Sequence, residues 1–191
     1  MLHTNITVNE KGHLTFAGMD TVALAEKYGT PLMLIDENRI RERAATYIGA
    51  MERYFGGESK PLYASKALSF TGIYKIIADA GMSIDIVSSG ELYTAKNAGF
   101  PLENAYFHGN SKTDADIAFA MDNGVGHFVV DNREELDAID AIAGEKGIRQ
   151  AILLRLTPGI DPHTYDAVAT GQVDSKFGTA IETGQAIEMV R

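Results

Sequence analysis

The chain has 191 residues, with 17 basic against 26 acidic side chains, a formal charge of −9 and no cysteine. The missing thiols exclude a disulfide framework, a zinc–thiolate centre and a cysteine nucleophile within it; the acidic balance disfavours a nucleic-acid or anionic-membrane surface. At 45% hydrophobic and 23% charged residues it has no apolar run long enough to cross a bilayer, and it falls short of the ~250 residues of a whole (β/α)8 barrel.

In chain order, residues Met1 to Thr15 mix His3, Asn5, Asn9, Glu10 and Lys11 among apolar residues. That breaks the continuous apolar core of a signal peptide, so a cytoplasmic protein is expected. Leu2 to Phe16 reads as a hairpin or extended arm, and Pro31–Asp36 as an apolar strand that stands outside the pattern following it. An Arg- and Ala-rich helix is expected from about Glu37 to Tyr54, ending at the turn Gly56-Gly57.

From Pro61 onward a strand-then-helix unit repeats. Short apolar strands begin at Pro61, Ser83, Ala105 and His127, 22 residues apart, and a fifth, Ala151–Leu156, begins 24 further on. The intervening segments carry apolar residues at helical spacing, such as Ile73, Ile76, Ile77 and Ala80 before Gly81, or Leu92, Ala95 and Ala98 before Gly99. Each ends in a glycine suited to a left-handed C-terminal cap. Crossovers of this length join parallel strands in a right-handed sense. A leucine-rich solenoid shares the period but needs regularly placed leucines and asparagines, which these units lack. A doubly wound sheet calls for a glycine-rich phosphate turn after its first strand, where this chain has Ser65-Lys66-Ala67. The expected fold class is therefore α/β, a (β/α)8 barrel represented by about five of its eight strands. Thr157 to Lys176 holds two prolines and little periodicity, as in a functional loop or a disordered segment, and a helix is expected over Gly184–Arg191. An open parallel sheet leaves a strand edge unpaired, so the sequence reads as a fragment.

In such barrels the chemistry gathers where the strands end. Those positions are polar: Lys66, Asp85 with Ser88-Ser89-Gly90, His108-Gly109-Asn110, and Arg155. Side chains alternate along a strand, so Leu62, Ala64 and Lys66 are expected to share one face, with small Ala64 leaving room beside the amine. A lysine on the inner face must be paired or neutral, and a neutral amine is what condensation with an aldehyde needs; the alternative is an amine that simply reaches water. Asp85 either holds a neighbouring cation or caps the next helix. His108 either meets a ring cofactor or is a satisfied, partly buried histidine. Arg155 follows Ile152-Leu153-Leu154 and either binds an anion or makes a structural ion pair. Ser88-Ser89-Gly90 is first a helix N-cap and second a phosphate or substrate contact. No cluster has metal-ligand spacing; His163 near Asp161 is too isolated to make one.

Taken together, Tyr63-Ala64-Ser65-Lys66-Ala67, Asp85-Ile86-Val87-Ser88-Ser89-Gly90-Glu91-Leu92, His108-Gly109-Asn110-Ser111-Lys112 and Arg155-Leu156-Thr157-Pro158-Gly159-Ile160-Asp161-Pro162-His163-Thr164, followed by Thr170-Gly171 and Ser175-Lys176-Phe177-Gly178, resemble the alanine-racemase-like pyridoxal-phosphate enzymes. Within these they are most similar to the diaminopimelate decarboxylases, over nearly the whole chain from about Tyr28. The resemblance implies pyridoxal 5'-phosphate as cofactor, carried on Lys66, with Asp85 beside it, His108 in the cofactor region and Arg155 facing that region. It implies an amino-acid substrate, meso-diaminopimelate, decarboxylated to L-lysine, and a mobile loop over Gly159–Lys176. It further implies an arm and strand in residues 1–36 that pack with a C-terminal β domain, and a cofactor-binding barrel in residues 37–191. The remaining strands, the glycine-rich phosphate site, the partner of the pyridine nitrogen and the β domain that completes a homodimer lie beyond this sequence, so the piece alone is expected to be inactive. Other decarboxylases of the fold, for ornithine, arginine or carboxynorspermidine, are the alternative, as is a single-domain pyridoxal-phosphate-binding protein without catalysis.

Overall fold

A computed structural model describes residues 4–160, 163 and 177–190. The chain divides into two compact units, Met1–Thr46 and Tyr47–Arg191.

In the first unit, β1 (Ile6–Val8), β2 (Leu14–Phe16) and β3 (Met19–Asp20) form an antiparallel sheet in that order. The hairpin expected before Phe16 is β1–β2, registered through Thr7 and Thr15. Asp20 closes β3 and caps α1 (Thr21–Tyr28), its carboxylate accepting from the amides of Val22 and Ala23. Pro31–Asp36 forms no strand. An apolar segment becomes a strand only against a partner ladder, none of the described residues supplies one, and Leu32, Met33 and Ile35 stay exposed. Helix α2 (Glu37–Phe55) follows, with Asp36 accepting from the amide of Arg39 at its start.

The second unit carries the repeat. Strands β4 (Leu62–Ala64), β5 (Ser83–Ile86), β6 (Ala105–Phe107), β7 (His127–Val130) and β8 (Ala151–Leu154) form one parallel sheet in sequential order. Helices α3 (Thr71–Asp79), α4 (Ser89–Asn97), α5 (Asp114–Asp122) and α6 (Arg133–Lys146) occupy the gaps. The expected glycines terminate them: Gly81, Gly99, Gly124 and Gly147 all have positive φ. Beyond each, the amide of Met82, Phe100, Val125 or Ile148 returns to a carbonyl five residues back, which satisfies the orphan acceptors of the last turn. After Arg155 the chain resumes as β9 (Leu156–Thr157), which pairs in parallel with β10 (Thr179–Ala180), ahead of α7 (Gln185–Val190). A short sixth parallel strand is thus begun beyond the five read from sequence.

The core lies between the sheet and its helices. Ile84, Ile86, Phe107, Phe128 and Val130 point to that side and are inaccessible to solvent or nearly so, as are Ile73, Ile77, Leu92 and Ile117 from the helices. Each such side chain contributes roughly 1.5–3 kcal/mol by leaving water. The opposite face carries the residues that alternate with these. Direct register aligns Ala64, Asp85, Tyr106 and His127 in one row, with the Tyr106 and His127 rings stacked 4.3 Å apart. This polar row stands where barrels commonly place branched aliphatic residues.

Candidate active site

Strand β4 ends at Ala64, and Ser65–Ala67 turns into a single 3-10 turn. Strand alternation therefore stops before Lys66, contrary to the expectation that it shares the face of Leu62 and Ala64. Lys66 is exposed. Within the turn Ser65 is fully buried, with no partner for its hydroxyl.

Lys66 lines a cleft of about 530 Å³ at the C-terminal end of the sheet, together with Ser88, Ser89, His108, Asn110, Lys112 and Arg155. Three of the four residues expected at a site thus share one cleft. The fourth, Asp85, faces a neighbouring hollow of about 560 Å³ bounded by Ala64, Tyr106, His127 and Leu153, and His108 borders both. Asp85 pairs with His108, Oδ1 to Nδ1 at 3.5 Å, rather than with Lys66. The contact is too loose for a hydrogen bond. Asp85 Oδ1 and His108 Nε2 are both buried without a hydrogen-bond partner, a combination that calls for a ligand or water. His108 is partly buried, as one reading of the sequence has it, but its Nε2 is not satisfied.

Asp85 does not cap the next helix. Ser88 does, accepting from the amide of Glu91 at 3.2 Å, while Glu91 Oε2 accepts from the Val87 amide at 2.7 Å. Burial raises the Glu91 carboxyl above its ordinary pKa, opposed by the Val87 amide; Asp85 raises it further and Lys66 lowers it. Glu91 is thus a carboxylate in the field of Lys66, on the first turn of α4. Ser89 donates to Asp116, which also accepts from the Thr113 amide and hydroxyl; with Ser89 as the main cause, these bonds hold the Asp116 carboxyl below its usual range.

Arg155 sits on the cleft wall with its guanidinium 3.3 Å from Asp131, whose side chain is 4% exposed, and over the Phe177 ring. It has a structural ion pair and faces the cleft as well. The residue that sequence reading left without a role is Lys112, whose side chain is 2% exposed. Its ammonium donates to Gly109 O at 2.7 Å, Val129 O at 2.9 Å and Glu135 Oε1 at 2.6 Å, which uses all three protons. Burial pushes its pKa down, countered by Glu135 and Asp131. Gly109, at φ 104°, lets the loop before Lys112 pass close to the Val87 carbonyl.

Among the described residues no group of three or more His, Cys, Asp or Glu side chains is placed to hold a metal ion, and no helix is long and apolar enough to cross a membrane. Apart from Gly159, Ile160 and His163, the expected mobile loop over Gly159–Lys176 lies outside the described residues, as does Asp161 beside His163.

A parallel β/α sheet with a lysine, an arginine and a loosely paired Asp–His couple at its C-terminal mouth defines a barrel protein with an amine-bearing cleft. Residues 37–191 match the family described as pyridoxal-dependent decarboxylase, pyridoxal binding domain, and the chain belongs to that family. It is 48% identical over 184 residues to diaminopimelate decarboxylase of Bacillus methanolicus, covering 96% of this chain and 42% of the relative. Against the Bacillus subtilis enzyme of the same name identity is 44%, over 99% of this chain and 44% of the relative. The crystal structure of diaminopimelate decarboxylase from M. jannaschii in co-complex with L-lysine superposes with a TM-score of 0.86 at 32% identity, over 98% of this chain and 44% of that one. The chain thus spans somewhat over two fifths of the length of these relatives, and its sheet is part of a (β/α)8 barrel.

Proposed function

We propose that this chain is the cofactor-carrying part of a diaminopimelate decarboxylase and that Lys66 is the residue joined to pyridoxal 5'-phosphate. The observation that carries the reading is the exposed Lys66 amine on a cleft whose far wall presents Arg155, in a chain 48% identical to an enzyme of that name. The residues suit the cofactor: an accessible amine for its aldehyde, a guanidinium for an anionic group, and buried polar atoms of Asp85 and His108 that lack partners.

The cofactor supplies an electron-accepting ring that eases loss of carbon dioxide from an amino acid. The chain's own residues bind and orient. Lys66 would hold the cofactor through its aldehyde, and the Asp85 carboxylate, 3.5 Å from His108, stands beside the imidazole at the cleft edge. Glu91 lies within electrostatic reach of the Lys66 amine, and Arg155, steadied by Asp131, would hold an anionic part of cofactor or substrate. The substrate of this reading is meso-diaminopimelate and the product L-lysine; lysine bound in a similar structure supports that choice. A cytoplasmic setting, a homodimer, and a division into residues 1–36 that pack with a further β domain and residues 37–191 that bind cofactor belong to the same proposal.

Borohydride reduction in the presence of pyridoxal 5'-phosphate tests it, applied to a polypeptide of the relatives' length that contains this sequence. Peptide mapping is expected to place the label on Lys66, and Lys66→Ala to remove it. A label at another lysine overturns the assignment. The same polypeptide is expected to release lysine from meso-diaminopimelate, and the 191-residue chain alone is expected to release none.

A further inference from the structure

We infer that Lys112 is a positioning residue: by occupying Glu135 it keeps the neighbouring carboxylate Asp131, and not Glu135 as well, on Arg155, so that the guanidinium remains available to the cleft. Lys112, Glu135, Arg155 and Asp131 form one cluster at the mouth of the second unit, two of each sign. Lys112 and Glu135 are paired at 2.6 Å with side chains 2% and 4% exposed; Arg155 and Asp131 are paired at 3.3 Å with side chains 25% and 4% exposed. The two pairs are physically joined, because Glu135 Oε2 accepts from the Asp131 amide.

A buried ion pair stabilises little compared with apolar side chains of the same shape, whereas stranding one member is costly. Without the Lys112 ammonium, Glu135 is a buried anion beside Asp131, and Arg155 is the cation within the cluster able to compensate it. Arg155 would then serve two carboxylates and withdraw from the cleft. Without the Glu135 charge the imbalance reverses: Lys112 competes for Asp131 and Arg155 is released outward. Lys112 also ties Gly109 and Val129 together through their carbonyls. A purely structural role therefore predicts that either substitution loosens the mouth and exposes Arg155 in the same direction. The electrostatic role predicts opposite directions.

The functional meaning rests on the proposal that Arg155 faces cofactor or substrate, but the test reads Arg155 directly. Phenylglyoxal modification of Arg155, followed by peptide mass mapping, is to be timed in the full chain and three variants, with thermal unfolding as the check on folding. Lys112→Met is expected to slow modification by about tenfold, Glu135→Gln to accelerate it, and the double variant to return close to the parent rate. Equal rates in parent and folded Lys112→Met, or changes of the same sign in both single variants, overturn the inference. If Lys112→Met does not fold, Glu135→Gln decides: faster modification upholds the inference, unchanged or slower modification refutes it. Failure of borohydride labelling at Lys66 would remove the functional reading and leave this outcome intact.

Discussion

The Arg155 guanidinium lies 4.2 Å from the centroid of the Phe177 ring, so the cation that faces the cleft is held on one side by an aromatic ring and on another by the Asp131 carboxylate. The ring's own position is fixed from its backbone, since Thr157 donates its hydroxyl to the Phe177 carbonyl at 2.6 Å. Phe177→Leu keeps an apolar side chain and removes the ring quadrupole. The expected loss is about 0.5–1 kcal/mol, read as a small fall in the thermal midpoint, with faster phenylglyoxal modification of Arg155.

Gly126 is a steric requirement. A Cβ at this position would stand 1.9 Å from the Glu103 carbonyl oxygen and 2.7 Å from its carbon, both backbone atoms that cannot swing aside. Gly126→Ala is expected to cost about 3 kcal/mol or more and to lower the thermal midpoint by roughly 10 °C. Gly144, inside α6, meets nothing within 4 Å, so Gly144→Ala is expected to stabilise by about 0.5–1 kcal/mol. Paired thermal melts of the two variants separate these effects.

In the first unit, the hydrogen bond from His13 is the largest of several that lower the Asp20 pKa from 3.8 to about 2. The folded pKa lies below the unfolded one, so the stabilisation is complete above 3.8 and is lost as pH falls towards 2. Asp20→Asn retains an N-capping side chain for α1 and removes the charge. Acid titration followed by the amide signals of β1–β3 is expected to show a loss of stability in that window for the parent that is absent in the variant.

Helix α5 starts with a reciprocal cap, in which Thr113 accepts from the Asp116 amide and Asp116 accepts from the Thr113 amide. Thr113→Ala is expected to cost about 1 kcal/mol in denaturant unfolding. Because Asp116 also holds Ser89, hydrogen exchange at the first turn of α4 is expected to quicken in the same variant.

The parts of the fold legible in the sequence are those governed by local rules. The 22-residue period, the helical stripes and the closing glycines each depend on a few neighbouring residues, and strands β4 to β8 begin within one residue of where the pattern puts them. Pro31–Asp36 was not legible in this way, since its composition suits a strand but a strand also needs a second one. The sequence pattern locates Lys66 at the strand mouth but not its facing, because alternation holds only while the backbone stays extended. The charged cluster left no local trace, but the repeat itself contains a clue: Lys112 to Glu135 spans 23 residues and Asp131 to Arg155 spans 24, about one strand–helix unit each. Polar residues one period apart come to lie in adjacent units, and a search at that offset would have found both pairs.

The main chain at Arg155 donates its amide to Val130 on one side and accepts from the Thr179 amide on the other, each at 2.9 Å. A peptide fastened to two neighbours works like a rivet in a hinge plate: the backbone stays put, and only the side-chain torsions are free to swing. Functional shifts at this position should therefore be read as rotamer changes, and the amides of Arg155 and Thr179 should exchange slowly and in step.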